Sequence, residues 1–210
     1  MKQSIVDIFL DEKAVQKIKK KLPELFQIAE LESQRAGKIG MEVGSIRERI
    51  LVSLLIYYFG ESNVDTEIPI TESEVDVRLF EKPISIKTKT GSSFSGVKLI
   101  WTVDSQNAIE FFNKYEPKCD MLYAQIIWGK IGFLYYFPLN IQKSILNTIG
   151  KERYIKLPSK GTNPRGVEIK SEALKLLTEH ELTYKIEIEW IKKKTEFNSF
   201  KRWVELWEKD

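Results

Sequence analysis

The feature of this chain that most constrains its fold is an alternation of apolar and polar residues on both sides of a short turn. Residues 74–79 and 84–87 alternate apolar side chains with charged or hydroxylated ones, and residues 88–90 continue with threonine and lysine. A period of two predicts β-strands with one buried face. We expect an antiparallel hairpin that turns at Glu81 and Lys82. That pairing places Asp76 opposite Lys87, with both side chains on the polar face.

The segments around this hairpin predict an α/β fold with a mixed β-sheet flanked by helices. Helical periodicity and capping residues predict helices at 12–22, 23–35, 45–59, 105–115, 141–149 and 171–181, and a short one around Trp203. Strands are predicted at 65–70, 74–80, 84–90, 97–103, 121–128, 133–137 and 183–191. Neither a flexible linker nor an internal repeat is present, so we expect residues 1–210 to form one domain.

Composition excludes several classes of protein. Of the 210 residues, 42% are hydrophobic and 30% charged, and no apolar run approaches the roughly 20 residues that cross a bilayer. The N-terminal residues show no secretory signal, so we expect a cytoplasmic protein with no membrane partner. Cys119 is the one cysteine and His180 the one histidine, which excludes a Cys/His zinc site. Any metal ion must therefore be held by oxygen.

The predicted third helix carries an acidic residue on its apolar side. Leu51, Val52 and Leu55 follow Glu48 by three, four and seven residues, so all four share one helix face. Glu48 can be an inward-pointing site residue. It can also form a capping box with Ser45, in which it binds the backbone N–H of that serine.

The order of these residues resembles the PD-(D/E)XK nuclease superfamily. Gly-Ser-x-x-Glu-Arg at 44–49 is similar to the start of archaeal Holliday junction resolvases, and it is followed by Asp76 and by Ser-Ile-Lys at 85–87. The resemblance implies catalytic roles for Glu48, Asp76 and Lys87. Ser85 stands where that superfamily usually has a carboxylate, so a different acid must replace it. The candidates are Glu48, Glu74 and Glu110.

Over nearly its whole length the chain also resembles the ThaI family of type II restriction endonucleases. The similar segments are 36–45, 74–77, 84–88, 96–104 and 161–169. The resemblance implies a restriction-endonuclease-like core and a homodimer that cuts both strands of double-stranded DNA at a short palindrome, CGCG, leaving blunt ends. Within the single domain we expect a helical N-terminal part (1–43), a catalytic core (44–138) and a C-terminal part for DNA recognition or dimerisation (139–210).

Phosphodiester hydrolysis of this kind requires a divalent cation, and hard Mg²⁺ prefers oxygen ligands. We expect Asp76, Glu48 and the backbone carbonyl of Ile86 to hold it. Lys87 would orient the attacking water and stabilise charge on the phosphate, while Ser85 can only form hydrogen bonds.

Candidate DNA contacts lie on or beside glycine-rich segments. Residues that could bind phosphates are Arg35, Lys38, Arg47, Lys89, Lys98, Lys156 and Lys160. Lys160, Asn163 and Arg165 are the candidates for reading guanine edges in the major groove. Met41 either packs ahead of the third helix or inserts as a wedge between base pairs.

Two other functions fit the same residues. A structure-selective nuclease would use the same site on branched DNA without reading sequence. A non-catalytic DNA-binding module would use Asp76 and Lys87 only as a cross-strand ion pair. The aromatic C-terminal segment, with Trp190, Phe197, Phe200, Trp203 and Trp207, is expected to form core or dimer contacts.

Overall fold

The computed structural model describes residues 4–35, 38–40, 42–69, 71–72, 74–159 and 166–209. The helices are α1 (Val6–Leu10), α2 (Glu12–Glu32), α3 (Val43–Phe59), α4 (Ser105–Lys114), α5 (Leu139–Ile149), α6 (Lys151–Tyr154), α7 (Ser171–Glu179) and α8 (Lys201–Trp207). The strands are β1 (Gln34–Arg35), β2 (Lys38–Ile39), β3 (Val64–Asp65), β4 (Val77–Leu79), β5 (Lys82–Thr90), β6 (Lys98–Ile100), β7 (Asp120–Ile126), β8 (Ile131–Phe137), β9 (Ile155–Lys156), β10 (Val167–Ile169) and β11 (Tyr184–Glu189). No helix in these ranges is long and apolar enough to cross a membrane.

Six strands form a central mixed sheet in the order β11-β8-β7-β5-β4-β3. β5 and β7 are parallel, and the other neighbouring pairs are antiparallel. Between β5 and β7 the chain passes through β6 and α4, and β6 pairs with β10 in a smaller sheet that also contains β9. The predicted class, a mixed sheet flanked by helices, is confirmed.

Each face of the central sheet is covered by its own hydrophobic core. On one face, Ile84 and Ile86 of β5 belong to a cluster with Phe26 of α2 and Leu51 and Leu55 of α3. On the other, aromatic residues of β7 and β8 pack with α5, α6 and α7, and this cluster contains Tyr123, Tyr135, Phe137, Leu146, Tyr154 and Leu174. Strand β5 therefore lies between two packed layers, which fix the direction of its side chains.

The two predicted helices at 12–22 and 23–35 are a single helix, α2, so this prediction was wrong. Pro23 lies inside α2, where it lacks the N–H of a regular helical hydrogen bond. Buried Ala14, Ile18, Leu22 and Phe26 follow one another every four residues and form one stripe across the proline. Packing of this stripe outweighs the local preference for a break.

The β4–β5 hairpin has a different register from the predicted one. Val77 pairs with Ile84 and Leu79 with Lys82, so the turn consists of Phe80 and Glu81. The pairing is displaced by two residues, and its continuation places Asp76 opposite Ser85. An even displacement leaves every side chain on its predicted face, so the polar face forms as expected.

Several predicted elements have different limits. Helix α3 begins at Val43 and no side chain of the described residues caps it, so the predicted capping box between Ser45 and Glu48 does not form. The strand predicted at 65–70 is limited to β3 in its described part, and those predicted at 74–80 and 97–103 shorten to β4 and β6. Because the cap is absent, the local structural explanation for Glu48 no longer applies.

Candidate active site

The carboxylate of Asp76 is the centre of a small polar cluster at the start of the hairpin. Its Oδ2 accepts hydrogen bonds from the backbone N–H of Ile86 (2.6 Å), from Lys87 Nζ (3.1 Å) and from Ser85 Oγ (3.2 Å). Ser85 is only 3% exposed, and the Lys87 side chain is 14% exposed. Because β5 presents Ser85 and Lys87 on the same face, both reach one oxygen. The structure thus brings together three of the predicted site residues.

Helix α3 adds Glu48 to this cluster. Burial raises the pKa of the Glu48 carboxyl to about 7, the positive charge of Lys87 opposes that rise, and the negative charge of Asp76 adds to it. These interactions place Glu48 within electrostatic range of both residues. Two acids that both lose their protons here would repel each other, and a nearby cation would relieve that repulsion.

Of the two other acids that could replace the missing carboxylate, one lies near the cluster. Burial raises the pKa of Glu74 to about 7, and the positive charges of Lys118 and Lys87 oppose the rise. Glu110 is exposed on α4. The geometry favours Glu74 over Glu110 as an additional acid.

The residues present fit a magnesium ion better than a metal that needs a complete protein cage. In the described part of the chain, no three His, Cys, Asp or Glu side chains form a ready metal cluster. Mg²⁺ usually takes one or two carboxylates and completes its shell with water and substrate phosphate. Asp76 and Glu48 match that number and supply only oxygen. Restriction endonucleases generally use divalent metal ions.

Arg47, which we expected to bind phosphate, instead forms a buried ion pair. It is 4% exposed, its Nη2 contacts Glu30 Oε1, and its guanidinium lies 5.6 Å from the centre of the Phe26 ring. Its Nη1 donates to Thr90 Oγ1 at the end of β5 (2.8 Å). Helix α3 turns this side chain toward α2 and the sheet, so the phosphate-binding interpretation of Arg47 was wrong.

The other expected DNA contacts are at or near the surface where they are described. Lys38 is exposed on β2, and Lys89 is half-buried on β5. Lys98 Nζ lies 3.9 Å from the centre of the Trp101 ring, and Lys156 pairs with Glu168 (3.1 Å). Met41, Lys160, Asn163, Arg165 and the side chain of Arg35 lie outside the described residues.

A second buried polar cluster, centred on Glu30, was not predicted from the sequence. Besides Arg47, this carboxylate accepts from Trp128 Nε1 (2.7 Å) and pairs with Lys192 Nζ (2.6 Å). Its partners come from distant parts of the chain, so no local spacing marks them. Glu30 also lies on a helix, where a glutamate is usually solvated.

The chain is similar to known proteins over almost its whole length. A solved structure described as a restriction endonuclease in complex with substrate DNA is similar over 96% of this chain and 97% of that one, with 56% sequence identity and a TM-score of 0.90. No curated protein matches. A family model described as "Restriction endonuclease ThaI" matches residues 8–209. The chain therefore belongs to the ThaI family of restriction endonucleases, which are site-specific deoxyribonucleases.

Proposed function

We propose that this protein is a type II restriction endonuclease that hydrolyses both strands of double-stranded DNA with Mg²⁺ and acts as a homodimer. The observation that carries the proposal is the 3.1 Å contact between Lys87 and Asp76 on the hairpin, with Glu48 of α3 within electrostatic range of both. The similar solved structure contains substrate DNA, which supports the same class of substrate here.

In this mechanism Asp76 and Glu48 would hold the cation, together with the backbone carbonyl of Ile86. A bound Mg²⁺ would neutralise charge on the scissile phosphate and lower the pKa of a water molecule. Ser85 and the N–H of Ile86 fix Asp76 Oδ2, so the carboxylate keeps one orientation. Glu48 contributes once it has lost its proton.

Lys87 is the residue that we propose acts on the attacking water and on the phosphate. Its ammonium group is held 3.1 Å from Asp76 Oδ2 and is mostly shielded from solvent. A positive charge in such a place stabilises negative charge that develops on the phosphate oxygens. The same group can orient the water by a hydrogen bond.

The finer features of the reaction follow from the family resemblance. They are a CGCG recognition site and blunt ends. The division of the domain at residues 43 and 138 and base reading by Lys160, Asn163 and Arg165 are further parts of the proposal. Lys38, Lys89 and Lys98 remain the proposed phosphate contacts, because the described structure leaves them at or near the surface.

Digestion of a plasmid that contains several CGCG sites tests the proposal. Purified protein with Mg²⁺ should give discrete linear fragments whose mapped ends are blunt and lie within CGCG, and EDTA should abolish cutting. Discrete fragments with other ends would contradict only the proposed recognition site and end type, and not the nuclease activity. Cutting confined to branched DNA would favour a structure-selective nuclease, and no cutting with any divalent ion would favour a binding module.

A further inference from the structure

We propose that Arg47, Glu30 and Thr90 form a bridge that positions the catalytic acid Glu48 against the strand that carries Lys87. We call these three residues the Arg47 bridge. The inference rests on the proposed roles of Glu48 and Lys87, and it assigns a positioning role to residues that the proposed function places neither on DNA nor on the metal.

The first step of the argument is the place of Arg47 next to Glu48. Consecutive residues on a helix point about 100° apart, so a fixed Arg47 side chain fixes the rotation of α3 about its axis and therefore the direction of Glu48. Arg47 is held on two sides. Glu30 of α2 contacts Nη2, and Thr90 of β5 accepts from Nη1 at 2.8 Å.

The second step is the place of Thr90. It ends the strand that carries Lys87, three residues earlier, and β5 pairs regularly with β7 through both positions. Three residues of strand span about 10 Å. The hydrogen bond from Arg47 thus ties the first turns of α3 to the catalytic strand, close to where Glu48 must meet Asp76 and Lys87.

The third step is the fixed position of Glu30, which lies at the other end of the Arg47 bridge from Thr90. Glu30 is fixed by Trp128 Nε1 (2.7 Å) at the end of β7 and by Lys192 Nζ (2.6 Å) after β11. A buried carboxylate that accepts hydrogen bonds from Arg47 and Trp128 and forms an ion pair with Lys192 has little freedom, so Arg47 has a firm anchor. Fixed second-layer contacts of this kind are what hold catalytic groups in their working geometry.

Thr90→Val tests the bridge, because it removes the acceptor for Arg47 while keeping the side-chain shape. We expect kcat for DNA cleavage to fall about tenfold and the Mg²⁺ concentration at half-maximal rate to rise, as loss of a hydrogen bond to a charged group predicts. Binding of a DNA fragment in EDTA should stay within about twofold of the wild type, because Thr90 is not placed on DNA. Thr90→Ser restores the hydroxyl and should restore both kinetic values.

Thr88→Val is the matched control, since Thr88 lies on the same face of β5 and its hydroxyl makes no hydrogen bond to another described residue. A second readout needs no cleavage: Mg²⁺ should raise the melting temperature of Thr90→Val less than that of the wild type. The bridge is refuted if Thr90→Val matches the wild type in rate and in Mg²⁺ response, or if only its DNA affinity falls. Wild-type protein that binds Mg²⁺ but never cuts DNA would instead refute the proposed function.

Discussion

At the scale of single residues, Asp76 joins the two strands of the hairpin. One of its oxygens receives three donors from consecutive residues of β5, so its position depends on the strand rather than on its own rotamer. A carboxylate held in this way costs little to orient when a cation binds. Lys87 places its amine next to this carboxylate. Removal of that side chain therefore tests the proposed cleavage reaction most directly.

Lys87→Ala should abolish cleavage, with a rate at least about 100-fold below that of the wild type, because it removes the positive charge that we propose stabilises the phosphate. DNA binding in EDTA should change little. Plasmid cleavage rates and fluorescence anisotropy measure the two quantities. Lys82→Ala, at the exposed start of the same strand, is the control and should cut normally. Rapid cleavage by Lys87→Ala would show that Lys87 has no catalytic role.

The raised pKa of Glu48 predicts an unusual dependence of the protein's stability on pH. Its pKa is raised from 4.5 to about 7 in the folded protein, so between these values the folded state binds more protons than the unfolded state. In EDTA, the stability that Glu48 contributes should be greatest below pH 4.5 and should decrease until about pH 7. Melting temperatures from pH 4.5 to 8 should therefore fall more steeply for the wild type than for Glu48→Gln. Parallel curves would contradict the raised pKa.

The predicted site residues that the structure brings together are those whose neighbours are close in sequence. Asp76, Ser85 and Lys87 share a face because of strand alternation, which sequence shows directly. Arg47 was assigned wrongly because its partner Glu30 lies on another helix and Thr90 on a strand. Only tertiary packing reveals whether an arginine in an amphipathic helix faces solvent or another charge.

At the scale of elements, the β4–β5 hairpin contains backbone strain. Phe80 and Glu81 have positive φ values of 49° and 65°, which a two-residue turn of this kind requires and which favour asparagine and glycine. The sequence contains neither residue there, so turn chemistry did not reveal the register. Phe80 is retained in the turn because its ring packs edge-on against Phe59, with ring centres 5.5 Å apart.

Glu81→Gly should stabilise the protein by about 0.5 to 1 kcal/mol, since glycine adopts positive φ without a steric penalty. Glu81→Val should destabilise it, because a β-branched side chain is poorly tolerated in that region. Urea denaturation of both variants measures the difference. The hairpin turn is not strained as described if the valine variant is as stable as the glycine variant.

Helix α2 shows the opposite case, in which a clear local signal was outweighed. A proline in the interior usually ends or bends a helix. The continuous apolar stripe before and after Pro23 packs into the core, and that burial outweighs the missing hydrogen bond. A local signal therefore predicts a boundary correctly only where packing does not continue across it.

At the scale of the whole molecule, the C-terminal helix α8 is the least covered part of the described structure. Phe200 is 71% exposed and Trp207 90% exposed, and every residue of α8 is exposed. Trp190 is buried in the core as expected, but the core interpretation of the later aromatic residues was wrong. A seven-residue helix has little stability of its own in water, which is consistent with a partner surface that covers it. Dimer contact, the other predicted role, remains our interpretation.

Replacement of Trp203 and Trp207 together by alanine should weaken self-association at least tenfold, because two large apolar side chains lose their contact. Sedimentation of the protein at several concentrations measures this. A weaker dimer should also accumulate nicked plasmid before linear product, since the two strands would be cut in separate events. Trp101→Ala, another exposed tryptophan, is the control for association. Unchanged sedimentation of the double variant would exclude α8 from the interface.

The overall architecture was predictable only in its class. Alternation and helical periodicity predicted a mixed sheet between helices, as observed. They did not predict that β5 pairs in parallel with β7 or that β6 leaves for a second sheet with β9 and β10. Those pairings join segments that are distant in sequence, and periodicity describes each segment without identifying its partner.

The parallel pairing of β5 with β7 also has a consequence for the time course of folding. Both antiparallel hairpins, β4–β5 and β7–β8, close over short connections, whereas β5 meets β7 only after β6 and α4 have been placed. Contacts between distant segments form slowly because a long chain loop must first be ordered. During refolding from denaturant, helical circular dichroism should therefore recover before nuclease activity does.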